Sequence, residues 1–321
     1  MKIGIWEVTE DEKKDYFSQN LSEHELTFFE NPLGEECLPE QRDFDVISVF
    51  VCSKVTDKVI RAFSNLKHIC TRSTGFDHID TEFAKLKNIT VSNVPCYGSN
   101  TVAEFTFGLI LSLSRKIPQA ITRLKTSEEF SFEGLRGFDL KNKTLGVIGT
   151  GKIGINVITI ARGFNMQILA HDPRPREDVD FKYVTLEELL KNSDIVTIHV
   201  PFCKETEHLI NKDNIILMKK DALLINTSRG GLVDTDALFL ALTSERLGGA
   251  ALDVLEEEGE LKEEAEALTK KTNKEYEILI EDHMLIHHPN VIITPHMAFY
   301  SKEAEFSIME TTVANIKLAI L

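Results

Sequence analysis

The chain has 321 residues, 42% of them hydrophobic, and carries a formal net charge of −15 at pH 7. That length suggests about two domains with enough apolar material for packed cores. So acidic a chain argues against general nucleic-acid binding, and no apolar run approaches the ~18 residues of a membrane span.

The five cysteines, at positions 37, 52, 70, 96 and 203, form no CxxC pair. They read as reduced thiols in a reducing, cytoplasmic compartment. The N-terminal run Met1-Lys2-Ile3-Gly4-Ile5-Trp6-Glu7 turns acidic at once and reads as a first strand rather than a signal peptide. From there to residue 95, short apolar runs alternate with helical patterns. Strands are expected at Lys2–Glu7, Glu25–Phe29, Asp45–Val51, His68–Thr71 and Ile89–Ser92, and helices near Glu10–Gln19, Asp57–Ser64 and Thr81–Leu86. Such βα alternation predicts a parallel sheet covered by helices. After Pro95, Thr101-Val102-Ala103-Glu104 reads as a capping box opening an apolar helix to about Lys116, which Pro118 interrupts.

A second α/β unit follows, with strands expected at Thr144–Ile148, Met166–Ala170, Ile195–Val200, Ala222–Asn226, Gly249–Val254 and Val291–Thr294. Helices fit between them, as at Leu186–Lys191 and Thr235–Leu242. Between Glu256 and Asp282 the chain is crowded with Glu and Lys and reads as a solvated helix-loop excursion. Phe306, Met309, Val313, Ile316 and Ile320 recur at helical spacing, so the last stretch is an amphipathic helix that needs a partner.

The second unit opens on its most informative motif. Gly149-Thr150-Gly151-Lys152-Ile153-Gly154 follows an apolar strand and opens a helix, and a second strand ends at His171-Asp172. Strand, glycine turn, helix, strand and acid in that order mark a dinucleotide site. Gly149 permits the tight turn, Gly151 lets the backbone approach a pyrophosphate, and Gly154 lets helix and strand pack closely. The diphosphate would rest on the helix N-terminus. Asp172 can take the hydroxyls of an adenosine ribose. Its charge stands where the 2′-phosphate of NADP would sit and so favours NAD(H), a preference that Arg174 and Arg176 could soften.

Ligands gather at the carboxyl edge of α/β sheets, and three groups are expected there. Arg229, in Asn226-Thr227-Ser228-Arg229-Gly230-Gly231, can grip a carboxylate through paired hydrogen bonds; a surface salt bridge is the plainer alternative. His296, in Thr294-Pro295-His296, is a candidate acid or base, or else a satisfied structural histidine. Asp253 ends another strand and Glu256-Glu257-Glu258 follows; a carboxylate near His296 would favour the imidazolium. His283, His287, His288 and His296 match no zinc spacing, so no metal is expected, and no GxSxG, Cys–His or Walker arrangement occurs.

Arg72-Ser73-Thr74-Gly75-Phe76-Asp77-His78-Ile79-Asp80 and Asn93-Val94-Pro95-Cys96-Tyr97 resemble the D-isomer-specific 2-hydroxyacid dehydrogenases. So do the glycine fingerprint, His199-Val200-Pro201, Asn226-Thr227-Ser228-Arg229-Gly230, Ala251-Leu252-Asp253-Val254 and Thr294-Pro295-His296. Tyr97, the Glu256–Glu258 run and Ala298-Phe299-Tyr300 resemble the D-lactate dehydrogenase branch. The resemblance implies an α/β fold of two Rossmann-like domains. Residues 1–98 and 297–321 would form a flavodoxin-like substrate domain, to which the C-terminal helix returns, and residues 99–296 a doubly wound NAD-binding domain. It implies a cytoplasmic homodimer that moves a hydride reversibly between NAD(H) and a small 2-oxo or D-2-hydroxy acid, first of all pyruvate and D-lactate.

In that family Arg229, Glu258 and His296 would be the catalytic set. Arg229 would hold the substrate carboxylate, His296 would protonate the carbonyl oxygen, and Glu258 would orient His296 and keep it protonated. Backbone N–H groups near Thr74 and Gly75 would take a carboxylate oxygen, and Tyr97 would close the substrate side. The cofactor would lie against Gly149, Gly151, Lys152, Ile153, Gly154, Asp172, Val200, Pro201, Thr206, Thr227, Ser228 and Asp253. Cys96 stands where the branch often has a smaller Ala, which leaves open a dehydrogenase for a longer 2-oxo acid. An NAD-sensing, corepressor-like interaction protein of the same fold is the alternative from another class. A formate dehydrogenase fits less well, because those relatives generally have Gln as the partner of the histidine.

Overall fold

The structure is a computed structural model and describes residues 1–95, 97–256 and 284–320. The chain divides into two compact units, Met1–Tyr97 with Tyr300–Leu321, and Gly98–Phe299.

In the first unit, strands β1 (Lys2–Ile5), β2 (Glu25–Phe28), β3 (Val46–Val49), β4 (His68–Thr71) and β5 (Thr90–Ser92) form an all-parallel sheet in the order β2-β1-β3-β4-β5. This is the flavodoxin-like order. Every residue of β3 and β4 is buried, as expected of parallel strands covered on both faces. Alternation along β3 sorts the two cores. Ile47 and Val49 pack with Trp6, Phe44 and Phe63, together with helices α2 (Asp57–Ala62) and α3 (Thr81–Leu86). Val46 faces the opposite way, with Ile3, Ile5 and Phe17 of α1 (Asp11–Asn20).

The second unit begins with α4 (Ser99–Ser114) and α5 (Ile117–Ser127). Among the described residues its strands are β6 (Thr144–Ile148), β7 (Gln167–His171), β8 (Lys182–Tyr183), β9 (Ile195–Ile198), β10 (Leu223–Asn226), β11 (Gly249–Leu252) and β12 (Val291–Ile293). They pair in parallel in the order β12-β11-β10-β9-β6-β7-β8. The direction of winding reverses between β6 and β9, which is where a doubly wound sheet receives a ligand. Helix α6 (Lys152–Gly163) packs with α4 on one face, and α7 (Leu186–Asn192) and α8 (Thr235–Thr243) cover the other. The C-terminal helix α9 (Lys302–Ile320) belongs to the first unit, where Val313 and Ile316 join the core of Ile3 and Phe17.

Several sequence expectations are corrected. The capping box at Thr101 does not form: α4 starts two residues earlier, at Ser99, behind Gly98, and its cap makes no side-chain hydrogen bond. Glu104 instead accepts from the Asn100 amide at 2.7 Å. Strand β1 ends at Ile5 rather than Glu7, because Glu7 turns to φ +57°. The helix expected to run to Lys116 ends at Ser114. Lys116 then adopts φ +53°, and Pro118 sits in the opening turn of α5, where its missing N–H costs nothing. The excursion expected over 256–282 lies, apart from Glu256, outside the described residues.

Candidate active site

Strand β6 leaves its sheet at Gly149, which holds φ +91°, and a Cβ there would stand 2.5 Å from the carbonyl oxygen of His199. Only glycine satisfies both constraints. A Cβ on Gly154 would come within 2.0 Å of the Gly149 carbonyl oxygen, so α6 lies directly on the turn. A Cβ on Gly151 would meet open space, and among the described residues no side chain caps α6. The start of that helix is where a dinucleotide-binding fold seats an anionic group.

Asp172 lies just past β7. One carboxylate oxygen accepts from the Thr150 N–H at 2.8 Å and its hydroxyl at 3.0 Å, and the other accepts from the Arg174 N–H at 2.8 Å. Burial works to raise the pKa of Asp172, but these bonds outweigh it and hold the carboxyl below its ordinary value. The Tyr183 hydroxyl, 2.9 Å from that of Thr150, also accepts from the Arg176 N–H. The sequence reading missed Thr150 and Tyr183, which steady Asp172.

Across the switch point, β9 runs out into His199-Val200-Pro201, with Val200 half-buried and Pro201 exposed. His199 Nε2 is 2.9 Å from the Thr197 hydroxyl. Its Nδ1 is buried with no hydrogen-bond partner among the described residues. Burial pushes the His199 pKa down to about 3, so the ring is neutral. Thr206 ties this loop together, donating to the Pro201 carbonyl at 2.8 Å and accepting from the Cys203 N–H at 2.9 Å.

The next strands carry the candidate reacting groups. After β10, the Asn226 side chain accepts from the Ser228 N–H at 3.0 Å and donates to the Arg229 carbonyl at 2.8 Å, fixing a tight turn. Ser228 donates to the Ile198 carbonyl, and the Thr227 hydroxyl lies 3.1 Å from that of Thr106. Arg229 is half-buried on this turn, with Nη1 donating to the Ser228 carbonyl at 2.8 Å.

After β11 comes Asp253, only 1% exposed. Its carboxylate accepts from the Thr294 hydroxyl at 2.5 Å, the Met297 N–H at 3.0 Å and the Ala298 N–H at 2.7 Å. Burial pushes the Asp253 carboxyl up, against the opposing pull of these bonds and of the His296 charge. His296 follows β12 at φ +52°. A non-glycine residue in this region is strained and persists only where its surroundings dictate it. Here its N–H donates to the Asp253 carbonyl at 2.9 Å, while the Asp253 side chain holds the residues on either side. The Asp253 N–H in turn donates to the Asn226 carbonyl at 2.9 Å. One segment thus joins the Arg229 turn to the His296 turn.

In the first unit, Thr74 and Gly75 follow β4. The Thr74 hydroxyl donates to the Val94 carbonyl at 3.0 Å, and its carbonyl accepts from the Asn93 amide at 2.7 Å. Ser73 donates to the Gly75 carbonyl at 2.6 Å. Tyr97 closes the first segment of this unit and is half-buried. Cys96, Glu257 and Glu258 lie outside the described residues. Glu256 is described, and its carboxylate is taken by His208 and Thr235, whereas the sequence pattern also allows it as a partner for His296.

A profile of the D-isomer-specific 2-hydroxyacid dehydrogenase NAD-binding domain matches residues 107–298. The chain belongs to the D-isomer-specific 2-hydroxyacid dehydrogenases. It is 36% identical over 325 residues to "2-hydroxyacid dehydrogenase homolog 1" of Schizosaccharomyces pombe, covering 98% of this chain and 95% of that protein. It is 37% identical to the "Aromatic 2-oxoacid reductase" of Clostridium sporogenes, over 99% of this chain and 96% of that one. The crystal structure of D-lactate dehydrogenase from Aquifex aeolicus, complexed with NAD and lactic acid, superimposes with a TM-score of 0.90 at 37% identity, covering 99% and 95% of the two chains.

This dehydrogenase is an NAD-dependent oxidoreductase, and its own residues fit that cofactor. The cradle at Gly149–Gly154, the uncapped start of α6 and the ionised Asp172 supply a diphosphate site and a ribose site. Among the described residues, no helix is long and apolar enough to cross a membrane, and no group of three or more His, Cys, Asp or Glu residues could hold a metal ion.

Proposed function

We propose that this dehydrogenase reduces a small 2-oxo acid to the D-2-hydroxy acid, with pyruvate and D-lactate as its first pair. The observation that carries the reading is the joint placement of Arg229 and His296 by the Asp253 segment. Likeness to the Aquifex aeolicus enzyme supports the choice of substrate. In this reading residues 1–98 and 297–321 are the substrate domain, and residues 99–296 bind NAD.

Bound NADH supplies the hydride. Arg229 holds the substrate carboxylate with its planar fork and polarises the ketone. Backbone N–H groups near Thr74 and Gly75 take a carboxylate oxygen, and Tyr97 closes the substrate side. His296 Nε2 or Nδ1 delivers the proton to the carbonyl oxygen, and Glu258 orients that imidazole. Gly149, Gly151, Lys152, Ile153, Gly154, Asp172, Val200, Pro201, Thr206, Thr227, Ser228 and Asp253 form the cofactor wall. General acid catalysis of this kind is worth ~10²–10⁴-fold.

Loss of NADH absorbance is followed with pyruvate and with longer and aromatic 2-oxo acids. His296→Ala should lose roughly 10²-fold or more in both directions. Full activity in that variant removes His296 from the proposal. A second reading, an aromatic 2-oxo acid, draws on the name of the Clostridium sporogenes relative, and higher kcat/KM for phenylpyruvate than for pyruvate would establish it.

The reading extends to a cytoplasmic homodimer. Among the described residues, Cys37, Cys52, Cys70 and Cys203 form no disulfide. Helix α5 buries none of its side chains, exposes Ile117, Ile121 and Leu124 along one face, and leads to Phe130 and Phe132, which are 95% and 92% exposed. A second copy of this chain is the occupant such a face calls for. Sedimentation should give a dimer for the native protein and a monomer for the double variant Phe130→Ser, Phe132→Ser. A monomeric native protein would end this part of the reading.

A further inference from the structure

Glu256 follows β11 by four residues and stands beneath the Arg229 turn. One of its carboxylate oxygens lies 2.6 Å from His208 Nε2. The other accepts from the Thr235 hydroxyl at 2.9 Å and the Thr235 N–H at 3.4 Å. Thr235 opens α8, so the carboxylate also meets the positive end of that helix. The Glu256 side chain is 17% exposed and that of His208 32%. Bonds to an ionised carboxylate in such a setting are the stronger kind.

All three residues bear on the turn that presents Arg229. Before it in the chain, the His208 N–H donates to the Gly231 carbonyl at 2.8 Å, and the Ile210 N–H to the Leu232 carbonyl at 3.0 Å. His208 holds φ +47° to do so. After it, Thr235 follows Gly230–Leu232 by three residues. Below it, a Cβ on Gly230 would stand 1.9 Å from the Leu255 carbonyl oxygen and 2.5 Å from the Glu256 nitrogen, so the turn rests directly on the backbone of the Glu256 segment. That segment begins at Asp253, which holds the His296 turn. Asp253 and Glu256 thus anchor the two candidate reacting groups from the two ends of one four-residue run.

We infer that Glu256, held by His208 and Thr235, is a positioning residue that sets the Arg229 turn for the substrate carboxylate. The inference rests on the reading of Arg229 as the carboxylate anchor. Glu256 touches neither substrate nor cofactor in this role; it acts through Arg229. A displacement of about 1 Å in such a group can cost ~10²-fold.

The test is a double-mutant cycle between Glu256→Ala and Arg229→Lys in the full-length enzyme, with kcat and KM for pyruvate, NADH affinity by fluorescence, and inhibition by oxamate. Glu256→Ala should raise KM for pyruvate and Ki for oxamate ~10-fold or more and leave NADH affinity within about twofold. In the Arg229→Lys background it should add little. Glu256→Gln, which keeps an acceptor for Thr235 and offers an amide N–H to His208 Nε2 in the tautomer that carries its proton on Nδ1, should recover most of the loss. Unchanged KM and oxamate inhibition in Glu256→Ala overturn the inference, as does an equal fold-loss in both backgrounds. Near-native turnover in Arg229→Lys overturns the anchor reading itself, which the cycle separates from failure of Glu256 alone. Should Glu256→Ala fold poorly, His208→Gln and Thr235→Ala each remove one arm and enter the same cycle.

Discussion

In the first unit the interior strand β1 runs out into Trp6 and Glu7; in the second, β6 runs out into Gly149 and Thr150. Both strands lie mid-sheet in parallel architectures, yet one exit is filled and the other left open. The Trp6 ring folds back so far that a Cβ on Gly4 would come within 2.4 Å of it. Arg72, 5% exposed, donates to the Trp6 carbonyl at 2.6 Å, the Glu7 carbonyl at 3.1 Å and the Ser48 hydroxyl at 3.2 Å. The Glu7 carboxylate accepts from the N–H groups of Phe50 and Cys52 and from the Ser53 hydroxyl. Burial pushes the Arg72 pKa down to about 10, while the Glu7 charge pulls it back up. At the first exit the chain's own residues fill the space that the glycine turn keeps clear at the second. Capacity to bind is decided by the few residues at a strand's exit, not by the architecture.

Three changes test that contrast. The largest effect belongs to Gly154→Val. Its new Cβ meets backbone, not a flexible side chain, so the open exit must deform. NADH affinity should fall roughly 10²-fold or more, read by cofactor fluorescence. Unchanged affinity would show that the cradle is not where the cofactor rests.

Next comes Arg72→Met, which removes a buried guanidinium and leaves its carbonyl acceptors unpaired. The expected cost is about 3 kcal/mol of stability by urea unfolding, with NADH affinity within about twofold. A loss of NADH affinity with stability intact would break the contrast.

The smallest concerns acid. His68 in β4 lies 2.6 Å from the Thr90 hydroxyl and 2.8 Å from that of Ser92, and burial pushes its pKa down from 6.5 to about 4. Between those values the unfolded chain binds a proton that the folded chain refuses. Stability is therefore full above about pH 6.5 and declines as pH falls towards 4, by roughly 2–3 kcal/mol. Urea midpoints at pH 7.5 and pH 5 should show this slope, and His68→Gln should flatten it. An undiminished slope in that variant assigns it elsewhere, with His199 in the second unit the next candidate.

The contrast also shows what a sequence can disclose. The open exit is legible because it is made of glycines in short order, each required by a local constraint. Buried strands such as β3, β9 and β10 are legible because three of the four residues in each are Val, Ile or Leu. Arg229 and His296 stand out because they follow such runs directly. The filled exit is not legible: Arg72 reaches carbonyls 66 and 65 residues away, and nothing local marks it as buried. The same holds for His208 and Glu256, 48 residues apart. A run of three glutamates offers no local sign of which carboxylate serves which partner, and only the fold assigns Glu256 to His208. The two-residue strand β8 is too short to carry a period. Thr101 satisfied the letter pattern of a capping box, but the helix had already begun behind Gly98.

Trp6 has one further consequence. It is the chain's single tryptophan, 2% exposed, stacked on Phe29 at 4.4 Å between ring centroids. Indole emission therefore reports on the first unit alone, and its shift to the red marks water reaching that core. The second unit has no indole and is dark in this channel, but bound NADH emits at its own wavelength. Two optical signals from one unlabelled sample thus follow the two halves separately, so that loss of the filled exit and loss of the open one can be timed against each other in a single experiment.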